Sequence, residues 1–425
     1  MTEISPRDRR TTKGVSLKGA TSKGTAQKGT TIAARVLELV ASGQATSRAE
    51  LAQLLGTAPS TISLTVAQLV ERGLIAEEGT HSSTGGRPRR VLRAGSNDEY
   101  AVAADVGGRH ARIGVVLPGG GVRDVANVPF EIADGPEAAL PRLAEHLESL
   151  AELRGRDRLR GVGLSLPGPV DVAAGAVVQP SRMLGWNRFP AAAWLEERFG
   201  VPAVVDNDAN CMAVGEQSVR PAEHRQSIMV KIGSAIGAGV IADGRLYRGA
   251  RGAAGDITHI RLDGGADIPC SCGNTGCLET VASGAALVRI LRERGLDVAG
   301  PEDVVRLVTD ADPEATRAVR RAGDHLGRVL AANVNFFNPD AVYLGGILST
   351  LEPFVAAVRS QLYESCHPLV TEHLTIERAM LGADAGLVGA GLFALQHALA
   401  RALGDAGGIG AGTDRFRTAA PPGRG

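Results

Sequence analysis

The sequence predicts an α/β protein in two parts, a small winged helix–turn–helix head and a larger body of two α/β halves around a cleft. Between residues 31 and 95, apolar residues with helical spacing give way to two short strand-like runs. From Tyr100 onward, strand-like runs alternate with helical segments and end in polar loops, which is typical of α/β halves that meet at a cleft. At 425 residues, the chain is long enough for both parts.

Composition and charge limit the cellular location and the kinds of binding partner that we expect. Hydrophobic residues make up 44% of the chain and aromatic residues 3%, so the core must be aliphatic. No run approaches the ~20 apolar residues of a membrane span, and we expect a cytoplasmic protein without a membrane partner. The net charge is zero, yet residues 1–95 hold fourteen Lys and Arg against seven Asp and Glu. This basic head indicates a polyanion partner, or else a solvated charged tail.

Both ends of the chain are predicted to be disordered. In residues 1–30, Lys-Gly recurs every five residues with almost nothing apolar to bury, which predicts a basic tail. Residues 404–425 are rich in Gly, Ala and Pro. The folded parts are therefore expected at residues 31–95 and 97–403.

The head is predicted to contain three helices and a hairpin. The first helix has its apolar stripe at Ile32, Val36, Leu39 and Val40. Ser47 and Glu50 form a capping box for a second helix, whose inward residues are Leu51, Leu54 and Leu55. Gly56 supplies the turn, and Pro59 begins the third helix. The runs 74–78 and 89–93 then predict two short strands, which completes a winged helix–turn–helix.

Two interpretations of this head compete, DNA binding and a helical module that binds protein. A protein-binding face would be expected to show an aromatic or leucine anchor. The third helix instead offers small hydrogen-bonding groups that suit a DNA groove, namely Ser60, Thr61, Ser63, Thr65 and Gln68. The hairpin tip offers Arg87, Arg89 and Arg90, which suit a narrow minor groove. We therefore favour double-stranded DNA as the partner.

The body is predicted to divide into lobe I, about residues 97–215 plus 386–403, and lobe II, about residues 216–385. Strand-like runs are 101–108, 111–116, 161–171, which leads into a loop, 201–210, which ends in polar residues, 227–241 and 341–346. Helices are expected near 136–153 and 386–403. Polar loops at the strand ends should line the cleft between the lobes.

Four residues in the second half form a metal-ligand set: His259, Cys270, Cys272 and Cys277. Three thiolates and one imidazole make a closed tetrahedral zinc site that builds structure. Gly273 and Gly276 let the loop curl around one centre. The alternatives are free thiols or a disulfide, although a Cys-x-Cys pair bridges poorly to itself. Cys211 and Cys366 are isolated.

The run CSCGNTGCLE (270–279) with its upstream histidine resembles the ROK family of repressors and sugar kinases. The resemblance implies an actin-like (ribonuclease H-like) two-lobed ATPase or sugar kinase fold, with a DNA-binding head in the repressor branch. It implies Asp208 as the equivalent of the catalytic base. The implied sugar-binding residues are Gly168, Asn207, Asp208, Asp256, His259 and Glu279. Taken singly, Asn207 and Asp208 could equally be helix caps.

The phosphate loops depart from the family pattern. The first loop keeps Asp105, Gly107 and Gly108 but continues with Arg109 where the family has threonine. The second keeps Gly233 and Gly237, has Ser234 where the family has threonine, and has Ala235 where backbone must approach a phosphate closely. These departures predict a degenerate kinase site and no enzyme activity. Arg109 could instead bind a phosphate that the ligand already carries.

The sequence therefore predicts a cytoplasmic transcriptional regulator, most simply a repressor, that binds operator DNA and responds to a sugar or sugar phosphate. Structural Zn²⁺ is the expected cofactor, and a homodimer or higher oligomer is the expected assembly. An ATP-dependent sugar kinase that carries a DNA-binding head is the alternative. A scaffold that binds a transporter component is a third hypothesis.

Overall fold

The computed structural model of the protein describes residues 32–41, 43–71, 73–81, 89–95, 98–181, 183–220, 224–262 and 267–407. The predicted tail 1–30 therefore lies outside the described residues, as does 408–425. Residues 404–407, which were expected to begin the C-terminal tail, instead continue the last helix.

The head consists of three helices and a two-stranded antiparallel sheet. The helices are α1 (Ile32–Ala41), α2 (Arg48–Leu55) and α3 (Pro59–Glu71), and the strands are β1 (Ile75–His81) and β2 (Arg89–Ala94). The side chain of Ser47 accepts a hydrogen bond from the Glu50 backbone, and Gly56 ends α2 with φ 59°. A small apolar core joins the elements through Val36, Leu51, Ile62, Val66, Leu69, Ile75 and Leu92.

Two predicted inward residues of the head face solvent instead. Ile32 is 43% exposed and Leu54 is 49% exposed. Ile32 is the first residue of α1, where the helix has not yet reached the core. The α2 helix is only eight residues long and buries Leu51 alone, so Leu54 falls outside its contact with the core.

The first half of the body is built on a five-stranded sheet with the order β5-β4-β3-β6-β9. Its strands are β3 (Tyr100–Val106), β4 (His110–Val116), β5 (Val122–Pro129), β6 (Leu159–Leu166) and β9 (Ala203–Asn207). Strands β3 to β5 are antiparallel, whereas β3, β6 and β9 run parallel. The small pair β7 (Val170–Asp171) and β8 (Ala176–Val177) follows β6. The helices of this half are α4 (Pro136–Arg154), α5 (Ala191–Phe199) and α6 (Asp208–Val219).

The second half repeats the same strand arrangement, with the order β12-β11-β10-β13-β14. Its strands are β10 (Ser227–Ile232), β11 (Ile236–Ala242), β12 (Arg245–Tyr247), β13 (Ala341–Gly345) and β14 (Thr375–Arg378). Strands β10 to β12 are antiparallel, and β10, β13 and β14 run parallel. Its helices are α7 (Glu279–Ala282), α8 (Gly284–Glu293), α9 (Pro301–Thr309), α10 (Pro313–Phe337), α11 (Glu352–Ser365) and α12 (Pro368–Thr371). The two halves thus share one topology, and the predicted run 227–241 is two strands joined by a turn.

The last helix, α13 (Ala385–Gly407), connects the parts of the molecule. It packs on α6 and on strands of the first sheet, and Leu399 near its end packs against the core of the head. Gly389 is needed in this packing, because a Cβ there would lie 1.8 Å from the Cys211 carbonyl oxygen. One segment within the described chain, Gly382–Ala402, is long and apolar enough to span a membrane, but half of it is buried in the fold. That burial is typical of the core helix of a folded protein.

Candidate functional site

The predicted metal ligands converge on one point. The ligand atoms of His259, Cys270, Cys272 and Cys277 all lie within 4.8 Å of one another. The Cys270 sulfur lies 3.4 Å from Nδ1 of His259, and the Cys272 and Cys277 sulfurs lie 3.7 Å apart. The last distance is far longer than the ~2.05 Å of a disulfide bond, and all five cysteines are free thiols in the structure, so the disulfide alternative is wrong. Gly273 and Gly276 have φ of 91° and 68°, which confirms the predicted curl of the loop.

The spacing of these atoms matches the edges of a metal tetrahedron. Zn–S bonds of about 2.3 Å at the tetrahedral angle place two sulfurs about 3.8 Å apart, and a Zn–N bond shortens that edge to about 3.5 Å. The cluster can therefore hold a metal ion as folded. Nδ1 is the ring nitrogen at the cluster, so Nε2 of His259 is left for the cleft that this residue lines.

The predicted sugar-binding residues of the first half meet where β9 ends and α6 begins. Asn207 caps α6, its side-chain oxygen accepting from the backbone of Ala209 and Asn210. Its amide group donates to the Gly168 carbonyl oxygen at 2.9 Å and to Oδ1 of Asp208 at 3.1 Å. The cap alternative for Asn207 is thus correct, but the cap also holds the Gly168 loop against Asp208 at the cleft.

Asp208 has a partner that the sequence reasoning missed, the ammonium group of Lys231. Nζ of Lys231 donates to Oδ2 of Asp208, while Oδ1 accepts from the Ala209 backbone at 2.8 Å. Burial opposes the charge on Lys231, but the carboxylates of Asp208 and Asp105 outweigh it and raise the pKa of Lys231. Burial also raises the pKa of Asp105, against the attraction of Lys231 and a hydrogen bond from the Ser165 hydroxyl.

Glu279 connects the metal loop, residues 270–277, to the second phosphate loop. It is buried, and its Oε2 accepts from the Ile236 backbone at 3.1 Å and from the Thr258 hydroxyl at 2.8 Å. The Thr258 hydroxyl thus supplies a hydrogen bond to a predicted sugar-binding carboxylate. Asp256 is exposed at the cleft, with no side-chain partner among the residues that the structure describes.

The two phosphate loops face each other across the cleft. Gly107 donates to the His110 carbonyl oxygen at 2.9 Å in the turn between β3 and β4, and Gly108 and Arg109 are exposed. The carbonyl oxygen of Arg109 accepts a hydrogen bond from the Phe130 backbone at 3.3 Å, but its side chain forms no hydrogen bond or ion pair with any described residue. Gly233 donates to the Ala235 carbonyl oxygen at 3.0 Å in the turn between β10 and β11, beside the exposed Ser234, and Gly237 follows in β11. Ala235 does not have a positive φ, so the expected need for glycine at this position is absent from the folded turn.

A second ion pair was also missed, between Asp206 and Arg248. Nη1 of Arg248 lies 3.0 Å from Oδ1 of Asp206, and Nη2 contacts the other oxygen. Asp206 is 1% exposed, and Arg248 also covers the Phe393 ring. The pair ties β9 of the first sheet to the loop that follows β12 of the second sheet. Asp206 lies next to Asn207, but no local pattern indicates a partner 42 residues away.

The predicted contacts on α3 divide into outward and inward positions. Ser60 and Gln68 are exposed, and Thr61 and Ser63 are half-buried. Thr65 is 9% exposed and its hydroxyl donates to the Thr61 carbonyl oxygen at 2.9 Å, so its predicted outward position is wrong. The helical spacing from Ile62 places Thr65 on the buried stripe.

The same helix exposes one large apolar side chain, Leu64, which is 63% exposed and is the kind of residue expected on a protein-binding face. On the hairpin, Arg89 pairs with His81 and Arg90 with Thr80 in the two-stranded sheet. Arg87 lies outside the described residues.

Comparison with known proteins identifies the class to which this fold and site belong. The sequence pattern of the ROK family matches residues 101–397, and the chain belongs to the ROK family. The chain is 31% identical to a glucokinase of Halalkalibacterium halodurans over 71% of this chain and 96% of that protein. It is 28% identical to the xylose repressor of Bacillus subtilis over 83% of this chain and 92% of that protein. It is also 28% identical to NagC of Escherichia coli, a DNA-binding transcriptional dual regulator, over 83% of this chain and 91% of that protein.

The structural neighbours include both branches of the family. A ROK family transcriptional regulator, described as a homologue of the E. coli MLC protein, has a TM-score of 0.70 and 25% identity. It covers 86% of this chain and 95% of its own. A ROK family glucokinase of Streptomyces griseus, in complex with glucose and AMPPNP, has a TM-score of 0.63 and 29% identity. It covers 70% of this chain and 99% of its own. The body is thus a mixed α/β ROK domain with sugar kinase neighbours.

Proposed function

We propose that this protein is a sugar-responsive ROK transcriptional regulator, and most simply a repressor. The observation that carries the proposal is coverage. The family match at residues 101–397 accounts for 297 of 425 residues, about the 70–71% that the two glucokinases align. The regulators align over 83–86% of the chain, so their similarity extends beyond the body.

We assign the head, residues 31–95, as a winged helix–turn–helix that binds operator DNA. Support comes from the order of its elements and from the outward positions of Ser60, Thr61, Ser63 and Gln68 on α3. The arginines of the hairpin, Arg87, Arg89 and Arg90, are proposed to contact the minor groove. The body, residues 97–403, keeps the predicted division into two lobes as part of this proposal.

We assign the cleft as the sugar site and the His259 cluster as its structural zinc site. Zinc would fix the imidazole through Nδ1, and Nε2 would then hydrogen-bond a sugar hydroxyl, as zinc-bound histidines commonly do with an acceptor. Gly168, Asn207, Asp208, Asp256 and Glu279 complete the proposed ligand set. For an effector that is a sugar phosphate, the residue available for the phosphate is Arg109, whose side chain has no partner in the described chain.

Regulation requires that the ligand distinguish two arrangements of the molecule, because a ligand that binds both equally shifts neither. Closure of the cleft would move α13, whose end contacts the head. In a cytoplasmic homodimer this would change the separation of two heads that must match half-sites about 34 Å apart.

The alternative of a sugar kinase with a DNA-binding head is favoured by the glucokinase relatives and by the presence of Asp105 and Asp208. One pair of assays separates the two functions. We expect fluorescence anisotropy to detect binding to duplex DNA from the protein's own promoter. We expect no ADP release with D-glucose, D-xylose or N-acetyl-D-glucosamine and ATP. ADP release that disappears in Asp208→Asn would overturn the assignment as a non-enzyme.

A further inference from the structure

Lys231 is the only lysine between residue 29 and residue 425. Every other basic side chain of the body, histidine aside, is an arginine. This single lysine lies on β10, lines the cleft and forms an ion pair with Asp208. An ammonium group is a compact point charge, whereas guanidinium is a planar fork. The residue type therefore fits a position where a small cation is needed.

Two carboxylates face this cation. Asp208 accepts its hydrogen bond directly, and Asp105 lines the same cleft and helps to raise the pKa of Lys231 by its charge. In phosphoryl transfer sites, carboxylates in such an arrangement hold the Mg²⁺ that bridges the phosphates. In this protein the chain itself supplies the positive charge. A divalent ion entering between the same carboxylates would be repelled by Lys231.

The hydrogen bonds of Asp208 leave it suited to binding. Its two oxygens accept from Lys231, from the Ala209 backbone and from the Asn207 amide. A carboxylate has about four acceptor positions, so about one remains for a ligand hydroxyl. Transfer of a proton to Asp208 would neutralise the counter-ion of a buried ammonium group, which is costly.

We propose that Lys231 is a built-in substitute for a divalent cation, which lets the cleft bind an uncharged sugar without Mg²⁺ or a nucleotide. The inference rests on the proposed function, because it specifies the ligand class of the same site. The neutral ligand follows from charge. The proposed ligand-facing side chains include the carboxylates of Asp208, Asp256 and Glu279, and an anionic group beside them would be repelled.

The proposal is tested with Mn²⁺ alone as the probe. Electron paramagnetic resonance measures the binding of Mn²⁺ to the zinc-loaded full chain. Lys231→Met removes the charge at similar length, and Lys231→Arg is the matched control that keeps it. We expect Lys231→Met to bind Mn²⁺ at least about ten-fold more tightly than the wild type. The gain should be absent in Lys231→Arg and should disappear when Asp105→Asn is added to Lys231→Met.

Equal Mn²⁺ binding by the wild type and a folded Lys231→Met would overturn the proposal. If thermal unfolding shows that Lys231→Met does not fold, Lys231→Gln takes its place. A second arm measures binding of D-glucose, D-xylose and N-acetyl-D-glucosamine to the wild type by calorimetry. A ten-fold gain in affinity on adding Mg²⁺ and AMPPNP would also overturn it. The Mn²⁺ readout uses neither DNA nor sugar, so a failure of the proposed regulator function would be seen separately.

Discussion

At the scale of single residues, the candidate sugar-binding side chains of the cleft are held by neighbouring groups, with the exception of Asp256. Asn207 is held by α6 and by Gly168, and Glu279 is held by Ile236 and Thr258. Such fixing lowers the entropy that a ligand must remove on binding. A single substitution in this network should therefore affect ligand affinity more than folding.

Thr258→Val tests this at Glu279. Valine keeps the shape of threonine but removes the hydroxyl that donates to Oε2 of Glu279 at 2.8 Å. We expect the affinity for the sugar that binds the wild type to fall roughly five-fold, which corresponds to about 1 kcal/mol. Isothermal calorimetry measures it. Thr309→Val is the control, because its hydroxyl bonds only the Val305 carbonyl on the surface of α9. Unchanged affinity in Thr258→Val would remove Thr258 from the site.

The cleft positions of Asn207, Asp208 and Glu279 were implied by the resemblance to the ROK family. Residue type and spacing were enough to predict the His259 cluster. They were insufficient for Lys231 and Arg248, because the direction of a strand or loop side chain depends on pairing with distant segments. For Lys231 one signal was available, its isolation as the only lysine in the folded chain. Thr65 failed for a related reason: its small polar side chain lies on the buried stripe of α3.

At the scale of elements, the metal loop joins the segment that carries His259 to the start of α7. His259 reaches the cleft from a segment with little regular structure, and the backbone of Leu278 donates to the Ile260 carbonyl oxygen at 2.9 Å. The cluster is therefore expected to hold both this segment and the start of α7 in place. Loss of the metal should loosen the imidazole together with Glu279.

Cys272→Ser tests the role of the metal. Serine is a poor zinc ligand, so we expect the zinc content of the purified protein to fall well below one ion per chain. We also expect the sugar affinity to fall at least about ten-fold, which is the usual size of effects transmitted between a metal ligand and the group that it hydrogen-bonds. Elemental analysis and calorimetry measure the two quantities. Cys366→Ala, at a buried thiol outside the cluster, should change neither. A variant that lost zinc but kept its sugar affinity would contradict the proposed brace.

Helix α13 provides a second test at this scale. A methyl group at Gly389 would collide with the Cys211 carbonyl oxygen, so α13 and α6 would have to separate. Gly389→Ala should lower the free energy of unfolding by about 1–3 kcal/mol, the usual cost of overpacking. Urea unfolding measures the change. Gly121→Ala is the control, because the nearest atom to its added methyl group lies 3.8 Å away. Equal stability of the two variants would contradict the described packing.

The positions of helices and strands along the chain were predicted better than the parts of the molecule that they pack against. The apolar periodicity located β3, β4, α4 and α13 within a few residues, because local spacing determines these elements. It missed β5, whose side chains are mostly exposed and carry little apolar signal. It also could not indicate that α13 packs on both the head and the first sheet, because such long-range contacts leave no local pattern in the sequence.

At the scale of the whole molecule, the head contacts the body through α13 and is proposed to bind DNA through its hairpin. Arg87→Ala with Arg89→Ala should weaken binding to promoter DNA and reduce the slope of log K against log salt by about 2. Anisotropy titrations at several salt concentrations measure the slope. Arg306→Ala with Arg317→Ala, on exposed parts of α9 and α10, is the control for lost charge. An unchanged slope would remove the hairpin from the DNA interface.

The central claim is that sugar in the cleft changes the affinity of the head for DNA. The most direct measurement is the Kd for duplex DNA from the protein's own promoter, with and without the sugar that calorimetry shows to bind. The account predicts a change of about 5–150-fold, the usual range of allosteric coupling, in the wild type and a much smaller change in Cys272→Ser. A sugar that saturates the cleft while the Kd for DNA stays the same would contradict it.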